Sequence, residues 1–92
     1  SMTPYQKLIR RSYGISKISN ALNLRTLRND TRALQAELNT QVETMNASLE
    51  DIEDDLDRLA QKGEVKLVKE QIKNLDTVLA KVETKVAELL KA

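Results

Sequence analysis

Six carboxylates lie within one short stretch of the chain, from Glu50 to Asp57. Carboxylates at this density suggest a divalent-cation site or a catalytic pair of acid and base. An EF-hand loop, however, needs alternating oxygen ligands and a central glycine, and it does not tolerate apolar heptad positions such as Ile52 and Leu56. Paired-carboxylate catalysis needs an apolar wall that raises one pKa, and the run offers none. We therefore predict a solvated helix face and no metal site.

The chain contains no cysteine and no histidine. This excludes disulfide bonds, a thiolate nucleophile, an imidazole base and zinc sites built from thiolate or imidazole ligands. We predict no catalytic residue and no cofactor, and we do not expect an enzyme.

The N-terminal region has the opposite charge, because no acidic residue precedes Asp30. If the region forms one helix, all its basic residues fall within an arc of about 120°. Such a one-sided stripe is typical of proteins that bind an acidic polymer, here a microtubule surface or nucleic acid. The alternative is a solvated face that balances the acidic middle of a neighbouring chain. The candidate binding residues are Lys7, Arg10, Arg11, Lys17, Arg25 and Arg28.

The composition indicates long helices as the framework for these charges. Hydrophobic residues make up 40% of the chain and charged residues 32%, but aromatic residues only 2%. Cores built without large aromatic rings, among many charges, are typical of helices packed side by side. No apolar run approaches the ~20 residues that span a bilayer, so no membrane span is expected. The fold class is predicted to be all-α, as an elongated coiled coil.

Apolar residues recur at alternating steps of three and four in two runs, the pattern of a coiled-coil seam. The runs predict a long helix over roughly 16–61 and a second helix over 64–91. Thr3, Pro4 and Gln6 form a helix-start signal, and Gly14 either ends a short first helix or lies inside a continuous one. The seam residues are Leu24, Leu27, Leu34, Leu38, Val42, Met45, Leu49, Ile52, Leu56, Leu59, Val65, Val68, Ile72, Leu75, Leu79, Val82, Val86 and Leu89.

The two runs are out of phase at Gly63, which leaves two arrangements open. In an antiparallel helical hairpin, Gly63 ends the long helix and the last helix folds back. The opposed seam positions then mirror one another about Lys62, and a basic helix lies on an acidic one. In a continuous parallel dimeric rod, Gly63 lies inside one long helix, which tolerates it. The sequence favours the hairpin.

These patterns divide the chain into five segments. Residues 1–2 resemble the remnant of an affinity tag, and 3–30 form the basic N-terminal helical segment. Residues 31–61 form the acidic coiled-coil helix, 62–64 the turn or break, and 65–92 the second coiled-coil helix.

The predicted function is that of a non-enzymatic coiled-coil oligomerisation or scaffold module of a larger assembly. The hairpin would leave apolar residues such as Ile15 and Leu22 beyond its open end, and the rod needs a second chain, so a dimer is expected. The expected partners are the chain itself and other coiled-coil proteins, with a microtubule or nucleic acid as the alternative. The expected location is intracellular, cytoplasmic or nuclear, with association to the cytoskeleton or a kinetochore as one setting.

Overall fold

The structure, a computed structural model, describes residues 1–26 and 28–91 and contains three α-helices. Helix α1 spans Pro4–Asn23, α2 spans Asn29–Gln61 and α3 spans Val65–Lys91. The described residues contain no strand. The predicted all-α class is confirmed.

Helix α1 begins with the predicted cap. The Gln6 amide donates to the Thr3 hydroxyl at 3.1 Å, and the Thr3 amide donates to the Gln6 side chain at 2.9 Å. This reciprocal pair satisfies two amides that the helix itself cannot, and Pro4 fits the first helical position. Gly14 lies inside α1 and does not end it.

Helices α2 and α3 form an antiparallel hairpin rather than a continuous rod. The turn is a Schellman motif in which Gly63 has a φ of 75°. The Gly63 amide donates to the Ala60 carbonyl at 3.1 Å, and the Glu64 amide donates to the Leu59 carbonyl at 2.8 Å. These two bonds satisfy carbonyls that would otherwise be free at the end of the helix.

The expected helix over 16–61 is interrupted by a junction whose described residues are Leu24, Arg25, Thr26 and Arg28. The phase of the buried positions explains the interruption. Leu22 is the last buried residue of α1 and Thr31 the first of α2, nine residues apart. Nine residues rotate a helix by about 180° beyond whole turns, so a continuous helix would place the two buried stripes on opposite sides. Turning the chain at the junction buries both.

Helix α1 folds back along the hairpin, antiparallel to α2 and parallel to α3. The Gln35 side chain donates to the Leu22 carbonyl at 3.2 Å, while Arg11 contacts Asp76 and Glu83. The resulting three-helix bundle measures 50 × 25 × 18 Å. Ile15 and Leu22, which we expected a second chain to cover, are buried within one chain.

The core is aliphatic where α2 meets α3 and mixed where α1 joins them. Leu38, Met45 and Leu79 are fully buried. On α1, Ser12 and Ser19 alternate with apolar residues on the buried stripe. Ser12 meets its hydrogen-bonding requirement locally, because its hydroxyl donates to the Ile9 carbonyl at 2.6 Å. Within the described ranges, no helix combines the length and apolarity required to cross a membrane.

Candidate interaction surfaces

The outer face of α1 is basic. Lys7, Arg10 and Lys17 are exposed and fall within an arc of about 80° that excludes the buried stripe of α1. Across residues 1–26 and 28–91, none of the three forms an ion pair. We call this surface, together with the exposed Tyr13 between Arg10 and Lys17, the α1 basic face.

Arg11 points in another direction from the rest of the predicted stripe. Its guanidinium reaches across to α3, where it contacts Asp76 at 2.6 Å and forms two hydrogen bonds to Glu83. These hydrogen bonds raise the pKa of Arg11 above its ordinary value. The side chain is one-third exposed, so it fastens α1 to α3 rather than facing an outside partner.

Arg25 and Arg28 do not continue the α1 basic face. Both lie in the junction after α1 ends, and Arg28 is the residue that precedes the first turn of α2. Arg28 is 3.8 Å from Asp30, and both side chains are largely exposed. The premise that all six basic residues lie on one helix was therefore wrong, and only Lys7, Arg10 and Lys17 form a shared outer face.

The outer face of α2 is acidic. Between residues 43 and 57 its exposed carboxylates form no ion pair within the part of the chain that the structure describes. We call this surface the α2 acidic face; its members are Glu43, Glu50, Asp51, Glu53, Asp54 and Asp57. In the same described ranges, no three acidic residues converge on a possible metal position.

Two other carboxylates of α2 are paired with α3 or with their own helix. Lys85 donates to Glu37 at 2.9 Å, which raises the pKa of the Lys85 ammonium. Asp55 accepts from Arg58 at 2.8 Å and from Gln71 at 3.0 Å, and these bonds lower the pKa of Asp55. The interhelical contacts of Glu37 and Asp55 agree with the antiparallel register of the hairpin. The α2 acidic face remains as the excess negative charge.

The predicted seam divides into three groups. The largest is buried and comprises Leu38, Met45, Ile52, Leu59, Val68, Leu75, Leu79, Val82, Val86 and Leu89. A second group packs against the core while partly exposed: Leu34, Val42, Leu49, Leu56 and Ile72. Leu24 and Val65 do not belong to the core, with 89% and 45% of their surfaces exposed, and Leu27 lies outside the described residues.

Sequence reasoning missed the buried stripe of α1. Its members are Leu8, Ser12, Ile15, Ser19 and Leu22. They follow the same alternation of four and three as the other seams, but serine occupies two of the five positions. A search for spacing that allowed small polar residues would have found the stripe and its phase difference from α2.

Tyr5 packs against the hydrophobic core from the start of α1. Its hydroxyl is buried without a hydrogen-bond partner in the described part of the chain. Burial, followed by the nearby Glu53 carboxylate, raises the pKa of Tyr5. Tyr5 therefore lies close to Glu53, which places the start of α1 beside residue 53 of α2 along the axis of the bundle.

No protein-family model matches this chain, and comparison with curated proteins and with solved structures finds no significant relative.

Proposed function

We propose that this chain is a non-enzymatic oligomerisation and scaffold module of a larger assembly. The observation that supports the proposal is the separation of charge on its outside. The α1 basic face and the α2 acidic face carry opposite charges, and their charged residues have no ion-pair partner among the described residues. A rigid bundle with two complementary faces can hold partners at a defined spacing.

The surfaces that bind partners are these charged faces rather than the predicted seam. Met45, Leu79 and Val82 are 0% exposed in a single chain, so burying them requires no second chain. Their burial supplies the rigidity of the module, because well-packed aliphatic side chains fix the positions of the helices. The partners are copies of the chain and other helical proteins that present the opposite charge.

The mass of the protein in solution tests this proposal. We expect light scattering at low salt to give a mass above the 10.4 kDa of one chain, rising with concentration. Met45→Asp serves as the unfolded comparison for the parent in this measurement, because a lone buried carboxylate should unfold the bundle. A parent protein that keeps the mass of one chain at every concentration and salt would overturn self-association.

A second candidate function is binding of the α1 basic face to an acidic polymer. It is favoured by the exposure of Lys7, Arg10 and Lys17, which project from one side of α1 with no acid on that helix. The polymer would be a microtubule surface or duplex nucleic acid. Binding would place the protein on the cytoskeleton or in the nucleus.

Co-sedimentation with microtubules and fluorescence titration with duplex DNA test the second candidate. We expect Lys7→Glu/Arg10→Glu/Lys17→Glu to abolish binding, and salt to weaken binding of the parent. The matched control is Lys66→Glu/Lys73→Glu/Lys81→Glu on α3, which changes the net charge equally at other exposed positions. Equal loss in both variants would show that net charge, rather than the α1 basic face, determines the binding.

A further inference from the structure

We propose that two copies associate side by side, with the α1 basic face of each lying antiparallel on the α2 acidic face of the other. This inference rests on the proposed function, because it specifies how the module self-associates. The occupant of each face is thus a second copy of the same chain.

The spacing of charges on the two faces supports this pairing. Arg10 and Lys17 are seven residues apart, as are Glu43 and Glu50. In an antiparallel alignment, Lys17 lies opposite Glu43 when Arg10 lies opposite Glu50. Residues seven apart occupy nearly the same side of a helix, so both pairs form on one contact line.

The same alignment accounts for the remaining base. Lys7 lies three residues before Arg10, and Glu53 and Asp54 lie three and four residues after Glu50. Lys7 therefore lies opposite Glu53, with Asp54 one residue further along α2. Each base of the α1 basic face then has an acidic partner, without any shift in register.

The fold already holds α1 close to the height that this alignment needs. Within one chain, Leu22 lies beside Gln35 and Tyr5 lies near Glu53, in antiparallel order. By interpolation, Arg10 lies within one turn of the height of Glu50. A twofold axis parallel to the bundle therefore brings the α1 of each copy to the α2 of the other at nearly the required height.

Such a contact closes on itself. Both copies contribute the same two faces, so every base–acid pair occurs twice and self-association stops at the dimer. Tyr13, with 71% of its surface exposed, lies midway between Arg10 and Lys17. The alignment places its ring opposite Ala47, whose short side chain leaves room for it.

The chemistry of the contact predicts a weak dimer that responds to salt. Exposed ion pairs are individually weak and are screened once the Debye length falls to a few ångströms. We expect a dissociation constant in the micromolar to millimolar range, which rises at least about tenfold between low salt and about 0.5 M salt.

Reversing the charges of one face at a time tests the pairing. The basic-reversed variant is Lys7→Glu/Arg10→Glu/Lys17→Glu, and the acid-reversed variant is Glu43→Lys/Glu50→Lys/Asp54→Lys. Each variant alone presents like charges across the contact, so sedimentation equilibrium at low salt should give a monomer. An equimolar mixture should give a dimer with one chain of each kind, because both contact lines are then complementary.

Two controls make the result decisive. Far-ultraviolet circular dichroism checks that each variant stays folded, and Lys66→Glu/Lys73→Glu/Lys81→Glu on α3 should retain the parent's dimerisation. If the parent oligomerises and the face variants do so equally, the pairing is overturned while the proposed oligomerisation stands. A mixture that stays monomeric beside a dimeric parent also overturns the pairing. A parent that is monomeric at low salt overturns both proposals.

Discussion

The two turns of this bundle are built in different ways. At Gly63 the chain turns through a local motif, with a positive φ and two backbone hydrogen bonds that end α2. The α1–α2 junction has neither glycine nor proline, and Arg28 caps α2 without a side-chain hydrogen bond. The turn at Gly63 is specified by the residues that form it. The α1–α2 junction is specified by the buried stripes of the two helices, which would face opposite sides if the helix were continuous.

The largest expected effect comes from restoring the phase across the junction. Deleting Arg25 and Thr26 brings Leu22 and Thr31 to seven residues apart, so the buried stripes of α1 and α2 face the same side of one helix. We expect α1 and α2 to merge and α1 to leave the hairpin. Small-angle scattering should then show a maximum dimension near ~85 Å, the length of the merged helix.

The matched control for the deletion is Arg25→Ala/Thr26→Ala, which changes the same residues and keeps the length. It should retain the bundle dimensions of 50 × 25 × 18 Å, because the phase difference persists. If the alanine variant opened as the deletion does, local helix propensity rather than phase would control the junction.

The two glycines provide the next test, with effects of opposite sign. Gly63→Ala should lower the free energy of unfolding by about 1–2 kcal/mol, because a side chain disfavours the left-handed conformation. Gly14→Ala should raise it by about 1 kcal/mol, since Gly14 lies inside α1 with nothing within 4 Å of an added Cβ. Urea denaturation measures both. A neutral Gly63→Ala would show that the turn is held by packing and not by its own conformation.

Arg11 tests how firmly α1 is fastened after the junction. Arg11→Met should cost at most about 1 kcal/mol at low salt and less at high salt, because the pair is partly exposed. Hydrogen exchange should accelerate in α1 before it does in α2 or α3. Arg10→Met, one residue away on the outer face, should leave exchange unchanged. Uniform acceleration in all helices would mean that α1 does not open separately.

The smallest expected effect concerns Asp55, which lies near the Gly63 turn. Its folded pKa is lowered by the bonds from Arg58 and Gln71. The resulting stability is present above the unfolded value of about 3.9 and is lost as pH falls through the lower folded pKa. Asp55→Asn should flatten this part of the pH profile of unfolding, measured by urea midpoints between neutral pH and acid. An unchanged profile would assign the acid sensitivity to other carboxylates.

The contrast between the turns also explains what could be predicted from the sequence. The hairpin at Gly63 follows from a glycine and from heptads on both sides, which are local signals. The break after Asn23 does not follow from local signals, because Leu24 extends the apolar pattern of α2 towards the N-terminus and so predicts a continuous helix. Only the helical phase of Leu8, Ile15 and Leu22 relative to α2 argues against a continuous helix. The serines between them make this apolar periodicity hard to recognise.

The candidate site was affected by the same error. Placing six basic residues on one helix assumed that the helix continued, whereas α1 carries four of them and directs Arg11 towards α3. Which side of α1 faces solvent depends on the packing of the hairpin, and this is tertiary information. The acidic side of α2 was predictable, because heptad residues fix which positions of that helix face outward.

The parallel packing of α1 and α3 has a consequence for protein synthesis. Arg11 and Glu83 are separated by 72 residues, so the ribosome completes α1 long before its α3 contacts exist. At about 5–20 residues per second, the delay is roughly 4–14 s. Contacts between α2 and α3 are closer in sequence and carry a smaller entropic cost of loop closure. Loop closure therefore favours the hairpin of α2 and α3 over the contacts of α1 with α3, which join residues 72 apart.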